Sequence, residues 1–225
     1  MMNQIEKICT HCGANNNCGR LYCSTCGKIF SDADRYYLFI DTETTGLPRN
    51  RYASYTDTTN WPRLVQIAWL YCDQDGKTLS SEEHIIKPEG FVIPFDAQNL
   101  HGISNERAYS EGKDLGLVLK RFSEAINVST HLVAHNLDFD FNVIGAEFVR
   151  KGINNRLTHL NRFCTMQGAT EYCHIPGGAY EFKWPSLFEL YYTLFNTTFQ
   201  EKHNALYDVK ICAECFFELK RRGVI

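Results

Sequence analysis

No apolar run in this chain approaches the ~20 residues that a helix needs to cross a bilayer, so a transmembrane span is not expected. The first residues, Met1-Met2-Asn3-Gln4-Ile5-Glu6-Lys7, lack an apolar h-region and run directly into cysteines, which argues against a secretory signal. An excess of positive charge is also missing. The net charge is −3 and the pI about 6.2, so the chain as a whole is not a sequence-blind polyanion binder. Internal repeats and low-complexity tracts are absent. What remains is 225 residues, 44% hydrophobic and 22% charged, enough for one packed domain with a small appendage and unlike a disordered chain.

The ten cysteines are unevenly spread, with Cys9, Cys12, Cys18, Cys23 and Cys26 in the first 26 residues. Without an export signal a reducing, cytoplasmic setting is expected, with thiol or metal roles in place of disulfides. Cys9-Thr-His-Cys12-Gly and Cys23-Ser-Thr-Cys26-Gly are two CxxC knuckles ten residues apart. Each knuckle can aim two thiolates at one ion, and the following glycine lets the backbone turn. The segment has almost no core, so one structural Zn²⁺ would supply its folding energy. Reduced surface thiols or an iron–sulfur site are the alternatives. Cys18 and His11 are read as non-ligands. The segment resembles the short zinc-ribbon family. Cys212 and Cys215, by contrast, fall on the apolar stripe of a helical pattern (Leu206, Val209, Phe216, Leu219) and read as core.

Residues 1–30 form the appendage and 36–225 one α/β domain. Strands are expected at Tyr36–Ile40, Leu64–Cys72, Thr78–Ile86, His131–His135 and Arg162–Thr165. Helices are expected at Asp114–Ile126, Asp138–Lys151, Met166–Tyr172, Ser186–Phe195 and Ala205–Arg222. Three hairpin-linked strands followed by helix–strand alternation imply a mixed sheet flanked by helices.

Three segments place acids where packing would not choose them. Asp41 and Glu43 lie two apart at the end of an apolar strand, so both point to one face. They would repel each other unless a hard divalent ion sat between them; a strand-end turn with solvated acids is the alternative. In His135-Asn136-Leu137-Asp138-Phe139-Asp140 a buried strand enters a helix. Asp138 is placed as its cap, Asp140 lies in the first turn, and Asn136 can order the turn or bond a phosphate. In His203-Asn204-Ala205-Leu206-Tyr207-Asp208 the His and Asp can converge only if His203 precedes a helix whose first turns hold Asp208.

Together, D-x-E, D and H-x₄-D resemble the three motifs of the DEDDh, DnaQ-like 3′→5′ exonucleases. Leu100-His101-Gly102-Ile103-Ser104 and Trp184-Pro185-Ser186-Leu187 resemble two further family segments, and the resemblance spans about residues 36–222. It implies a ribonuclease-H-like, five-stranded mixed sheet and hydrolysis using two Mg²⁺ or Mn²⁺ ions. Asp41, Glu43, Asp140 and Asp208 would hold these ions, with His203 as general base. It also implies a terminal nucleotide held by Thr44, Gly46 and Leu47, with His101, Asn136 and Phe139 as further contacts; Phe139 could equally pack. The implied partners are the 3′ end of single-stranded DNA or RNA, a DNA polymerase if the chain proofreads, and a second copy in a homodimer, with no membrane. A non-catalytic nucleic-acid or protein binding module built on the ribbon is the competing reading. Arg49, Arg51 and Trp61 lie in a long loop between the first two strands. That loop either binds single strands by stacking and phosphate contacts or folds Trp61 onto the domain.

Overall fold

The computed structural model describes residues 6–9, 11–17, 23–27, 35–177, 181–199 and 204–225. A short antiparallel hairpin, β1 (Glu6–Ile8) and β2 (Asn15–Asn17), carries the first cysteine knuckle. The five-stranded sheet is built from β3 (Tyr37–Thr44), β4 (Leu64–Cys72), β5 (Thr78–Ile85), β6 (His131–Ala134) and β7 (Asn161–Cys164). Its order is β5-β4-β3-β6-β7; β3, β4 and β5 are antiparallel neighbours, and β6 and β7 run parallel to β3. This is the mixed sheet expected from the sequence.

β4 is buried along its whole length, which explains why its apolar run reads as a central strand. β3 alternates two faces. Leu38 and Ile40 join a core closed by Phe122 of α3 (Leu115–Val128) and by Ile144 and Phe148 of α4 (Leu137–Lys151). Tyr37 and Phe39 face α8 (Ala205–Arg221), where they meet Val209, Cys212 and Phe216. Cys212 and Cys215 are buried, as their place on the stripe predicts.

Several boundaries differ from expectation. β3 does not stop at Ile40 but runs through Asp41 and Glu43, with both paired across to β4 (Asp41 to Ala68, Glu43 to Gln66). Asp138 is not the cap of α4. The helix starts one residue earlier, Asn136 holds the cap position in a left-handed conformation (φ 70°), and Asp138 sits in the first turn. The helix expected at Met166–Tyr172 is two short ones, α5 (Thr165–Gly168) and α6 (Thr170–Cys173), broken at Ala169. α1 (Phe95–His101) and α2 (Asn105–Glu111) were not expected; seven residues are too few to display a helical period. α7 (Leu187–Phe195) opens on a capping box, Ser186 with Glu189. No helix among the described residues is long and apolar enough to cross a membrane.

Candidate active site and cysteine cluster

The pleat sends Asp41 and Glu43 to the face covered by α8, and Asp208 in the first turn of that helix meets them there. One carboxylate oxygen from each of Asp41, Glu43 and Asp208 lies within 4.8 Å of the other two. The helix end that carries Asp208 is tied to the sheet by side chains. Asn204 caps α8 by accepting from the Tyr207 amide at 3.0 Å, and its own amide donates to Glu83 at 2.8 Å. Gln66, a buried polar residue in β4, donates to the same Glu83 oxygen at 2.9 Å and accepts from the Ala205 amide at 3.3 Å.

Asp140 approaches from α4 and is not one of that close trio. Its Oδ1 accepts the hydroxyl of Thr42 at 2.7 Å, and Thr42 lies between the two acids of β3. Burial, then Asp140, Glu43 and Asp208, holds the Asp41 carboxyl well above its ordinary range. Burial, then Asp208 and Asp140, pushes Glu43 up to about 8. Burial pushes Asp140 up to about 7, with the Thr42 hydroxyl pulling the other way. Four carboxyls here cannot all ionise without a counter-charge. Oxygens around a Mg²⁺ ion are roughly 3–4 Å apart, from its ~2.1 Å bonds, so the Asp41–Glu43–Asp208 donor set fits a hard divalent cation.

The remaining sequence candidates are placed as follows. Thr44 is buried; its hydroxyl donates to the Gly46 carbonyl at 2.7 Å and accepts from the Gly46 amide at 3.3 Å. This turn presents Leu47 outward, 85% exposed. His101 is buried; its Nδ1 accepts from the Ile103 amide, and its Nε2 has no hydrogen-bond partner among the described residues. Burial lowers its pKa. Asn136 is exposed. Phe139 packs partly buried against the α3–α4 core and edge-on to Trp61. His203 lies outside the described residues. Trp61 is buried with its indole N–H on the Ser54 carbonyl, so it packs onto the domain and is not a stacking platform.

Sequence reasoning missed three groups. Thr42 is hidden between Asp41 and Glu43, yet the acid it serves is Asp140 on another element. Glu147 on α4 is fully buried and accepts from Arg63 Nε at 2.9 Å and the Leu64 amide at 3.0 Å, with Arg150 at 2.9 Å. It thereby pins the start of β4 and the loop before it. His135 bonds Thr165 through Nδ1 and the Pro185 carbonyl through Nε2, both at 3.0 Å, tying the 181–186 segment to the sheet edge. Of the residues that brace the site, Gln66 alone leaves a mark in the sequence, as a lone amide inside an apolar strand.

In the N-terminal segment the four knuckle cysteines, Cys9, Cys12, Cys23 and Cys26, bring their sulfurs within 4.8 Å of one another. Cys9 and Cys26 are 3.7 Å apart, and Cys12 and Cys23 3.6 Å. Tetrahedral zinc thiolates with bonds of ~2.3 Å stand roughly 3.8 Å apart, so the set fits Zn²⁺. Gly13 and Gly27 take the left-handed conformation expected after each knuckle (φ 73° and 69°) and donate to the carbonyls of Cys9 and Cys23. Asn16 is buried between them, donating to Cys23 Sγ and accepting from Ser24. His11 is not part of the set, and Cys18 lies outside the described residues.

A search of the curated proteins finds no match. Among solved structures, the zinc-bound complex of E. coli exonuclease I with single-stranded DNA aligns at TM-score 0.64 and 22% identity, over 84% of this chain and 41% of that one. The complex of the same enzyme with a dT13 oligonucleotide gives 0.66 and 21%, over 84% and 42%. Exonuclease I from Methylocaldum szegediense gives 0.64 and 18%, over 84% and 41%. The chain thus spans about two fifths of the length of these proteins, and at such identities the likeness is one of fold. The profile of the exonuclease family RNase_T matches residues 38–216, a stretch that holds all four acids, and this chain belongs to that family.

Proposed function

We propose that residues 36–225 form a metal-dependent 3′→5′ exonuclease that removes 5′-mononucleotides from single-stranded DNA, and that residues 1–30 form a zinc ribbon. The observation that carries the enzymatic part is the Asp41–Glu43–Asp208 trio, three carboxylates converging on one partly buried point at the C-terminal end of the central strand. Burial and the neighbouring carboxylates hold the Glu43 proton up to about 8, and such a set of acids is tolerable on a phosphate-handling surface only with cations present. DNA is preferred over RNA because the similar structures include single-stranded DNA complexes.

Asp41, Glu43 and Asp208 would hold the divalent ions, with Asp140 completing the set. Bound there, two Mg²⁺ or Mn²⁺ ions would stabilise the attacking and leaving oxygens of an in-line displacement. Thr42 orients Asp140 and keeps its carboxyl more acidic than burial alone would allow. The Thr44–Gly46 turn offers its backbone, and Leu47 its exposed side chain, to the terminal sugar and base. His203, in the segment just ahead of α8, accepts the proton of the attacking water; an imidazole with an ordinary pKa near 6.5 suits that step at neutral pH.

The test is degradation of a 5′-labelled single strand under Mg²⁺, read as a ladder shortening from the 3′ end. Asp208→Ala should lose nearly all turnover with its circular dichroism unchanged. His203→Ala should bind Mn²⁺ as before and turn over about 10²–10⁴-fold more slowly. Full turnover by Asp208→Ala would exclude the assigned site. A wild-type protein that binds the strand without shortening it would favour the binding-module reading. Stoichiometric release of Zn²⁺ by a thiol-reactive mercurial would establish the ribbon, and no release would remove it.

A further inference from the structure

The loop between β3 and β4 is rigidly braced. Its base is closed by Thr45 and Arg63, which exchange hydrogen bonds of 3.0 and 2.9 Å. Asn50 and Asn60 cross-link its middle, with Asn60 Oδ1 accepting from the Asn50 amide at 2.7 Å and Asn60 Nδ2 donating to the Asn50 carbonyl at 2.9 Å. Arg150 holds the carbonyls of Thr58 and Trp61. At its outer end stand Arg51 and Tyr52, the latter 79% exposed.

A second segment arrives from the far end of the sequence. Trp184, 50% exposed, lies beside Pro185, whose carbonyl is fixed by His135 at the end of β6. The Arg51 guanidinium carbon sits 4.7 Å from the Tyr52 ring centroid and 5.9 Å from that of Trp184. It also donates to the Tyr52 hydroxyl, and it has no salt-bridged carboxylate among the described residues. The cluster sets two exposed aromatic rings, Tyr52 and Trp184, around one arginine. β6 runs parallel to β3, so the segments carrying this cluster leave from the same C-terminal end of the strands as the carboxylates, Arg51 lying beyond Leu47 on the chain leaving β3.

We propose that Arg51, Tyr52 and Trp184 form a stacking clamp for the nucleotides upstream of the scissile linkage in a single strand. Cation–π contact with the two rings orients the guanidinium and leaves N–H groups for a phosphate. The exposed ring faces take unpaired bases without regard to sequence. In a duplex the stacked neighbouring base pairs cover those base faces, so the clamp selects single strands. This deepens the nuclease reading and rests on the acids being the site where the strand is cut.

The chain has three tryptophans, and Trp61 and Trp69 are 4% and 1% exposed, so quenching by acrylamide reports almost solely on Trp184. In Ca²⁺ or metal-free buffer, saturating oligothymidylate should shield Trp184 from acrylamide. Arg51→Gln and Trp184→Ala, with circular dichroism melts like wild type, should each weaken binding of the oligomer about tenfold. Their binding of a dinucleotide should change far less. Arg51→Gln should also flatten the salt dependence by ~0.7, the slope of one phosphate contact on a single strand. Undiminished acrylamide access in the saturated complex would overturn the clamp, as would wild-type affinity in both variants. Shielding without any Mg²⁺-dependent shortening would support the clamp and refute the nuclease reading.

Discussion

Without divalent ions the acidic cluster should make the protein less stable as pH rises, and the size of the effect follows from Glu43. Its carboxyl titrates near 4.5 in the unfolded chain and at about 8 in the folded one, because of burial, then Asp208 and Asp140. Between those values the folded protein keeps a proton that the unfolded chain has released. Stability therefore falls with pH across that window and levels off above about 8. The informative range is about 6.5 to 8, above the range where His135, held down to about 4 by burial, would take up protons. At ~1.4 kcal/mol per pH unit, one such group costs at most about 2 kcal/mol over that range. For a domain of this size that corresponds to a melting temperature lower by roughly 4–8 °C. Asp140, pushed up to about 7, adds to the fall in the lower half of the range. A cation between Asp41, Glu43 and Asp208 replaces the proton, so excess Mg²⁺ should raise the melting temperature more at the upper end than at the lower. The assay is differential scanning calorimetry in buffers freed of loosely held divalent ions by gel filtration, with and without Mg²⁺, on wild type and Glu43→Gln. The variant should show a shallower pH slope and a smaller response to Mg²⁺. Equal slopes in the two proteins, or a Mg²⁺ response independent of pH, would refute the reasoning.

Three further outcomes are expected. Glu147→Gln leaves Arg63 and Arg150 facing each other without their buried counter-charge and should cost about 3–5 kcal/mol in urea unfolding; a loss below about 1 kcal/mol would contradict the network's importance. Thr42→Val removes the hydroxyl that keeps Asp140 acidic, so the acidic limb of the kcat/KM profile under Mg²⁺ should move up by about one pH unit; an unmoved limb would show that Asp140 does not control it. Gln66→Leu removes the bond from the Ala205 amide of α8 to β4 and the Gln66–Glu83 contact, leaving Asn204 on Glu83, and should weaken Mn²⁺ binding by calorimetry about 10- to 100-fold while the fold survives; unchanged affinity would mean Asp208 is placed without Gln66.

The fold was readable where one physical signal dominated. β4 is a run of nine buried residues, and its predicted ends match the structure. Asp41 and Glu43 announced themselves because two acids on one face of an apolar strand contradict packing. The four knuckle cysteines did so because their spacing and following glycines serve a single geometry. Legibility failed where the decisive partner is remote. Glu147 reads as an ordinary helix-surface acid, yet it is buried by contacts with Arg63 and Leu64, more than eighty residues earlier. Asn136 reads as a turn residue and stands at the turn before α4, but its left-handed backbone, which no pattern announces, starts the helix at Leu137 and leaves Asp138 in the first turn, not at the cap. Trp61 looks available for stacking because its loop carries arginines; the structure buries it and leaves Trp184, from a distant segment, half-exposed beside Arg51.

The placement of these misses has a common physical origin. Bringing Asp41, Glu43, Asp140 and Asp208 together is unfavourable in the protein alone, so the surrounding structure must hold each supporting element against that repulsion. Apolar packing fixes the distance of α8 from the sheet, through Val209, Cys212 and Phe216, but it is nearly indifferent to small rotations and slides. Directional contacts supply what packing does not. Asn204 and Gln66 converge on Glu83 to set the end of α8, Thr42 sets Asp140, and Glu147 sets the start of β4 against α4. Apart from Gln66, which interrupts an apolar strand, each is a polar contact that a sequence pattern of apolar periodicity cannot register. The acids were legible because they break the pattern, whereas the residues that hold them there conform to it or act from another part of the chain.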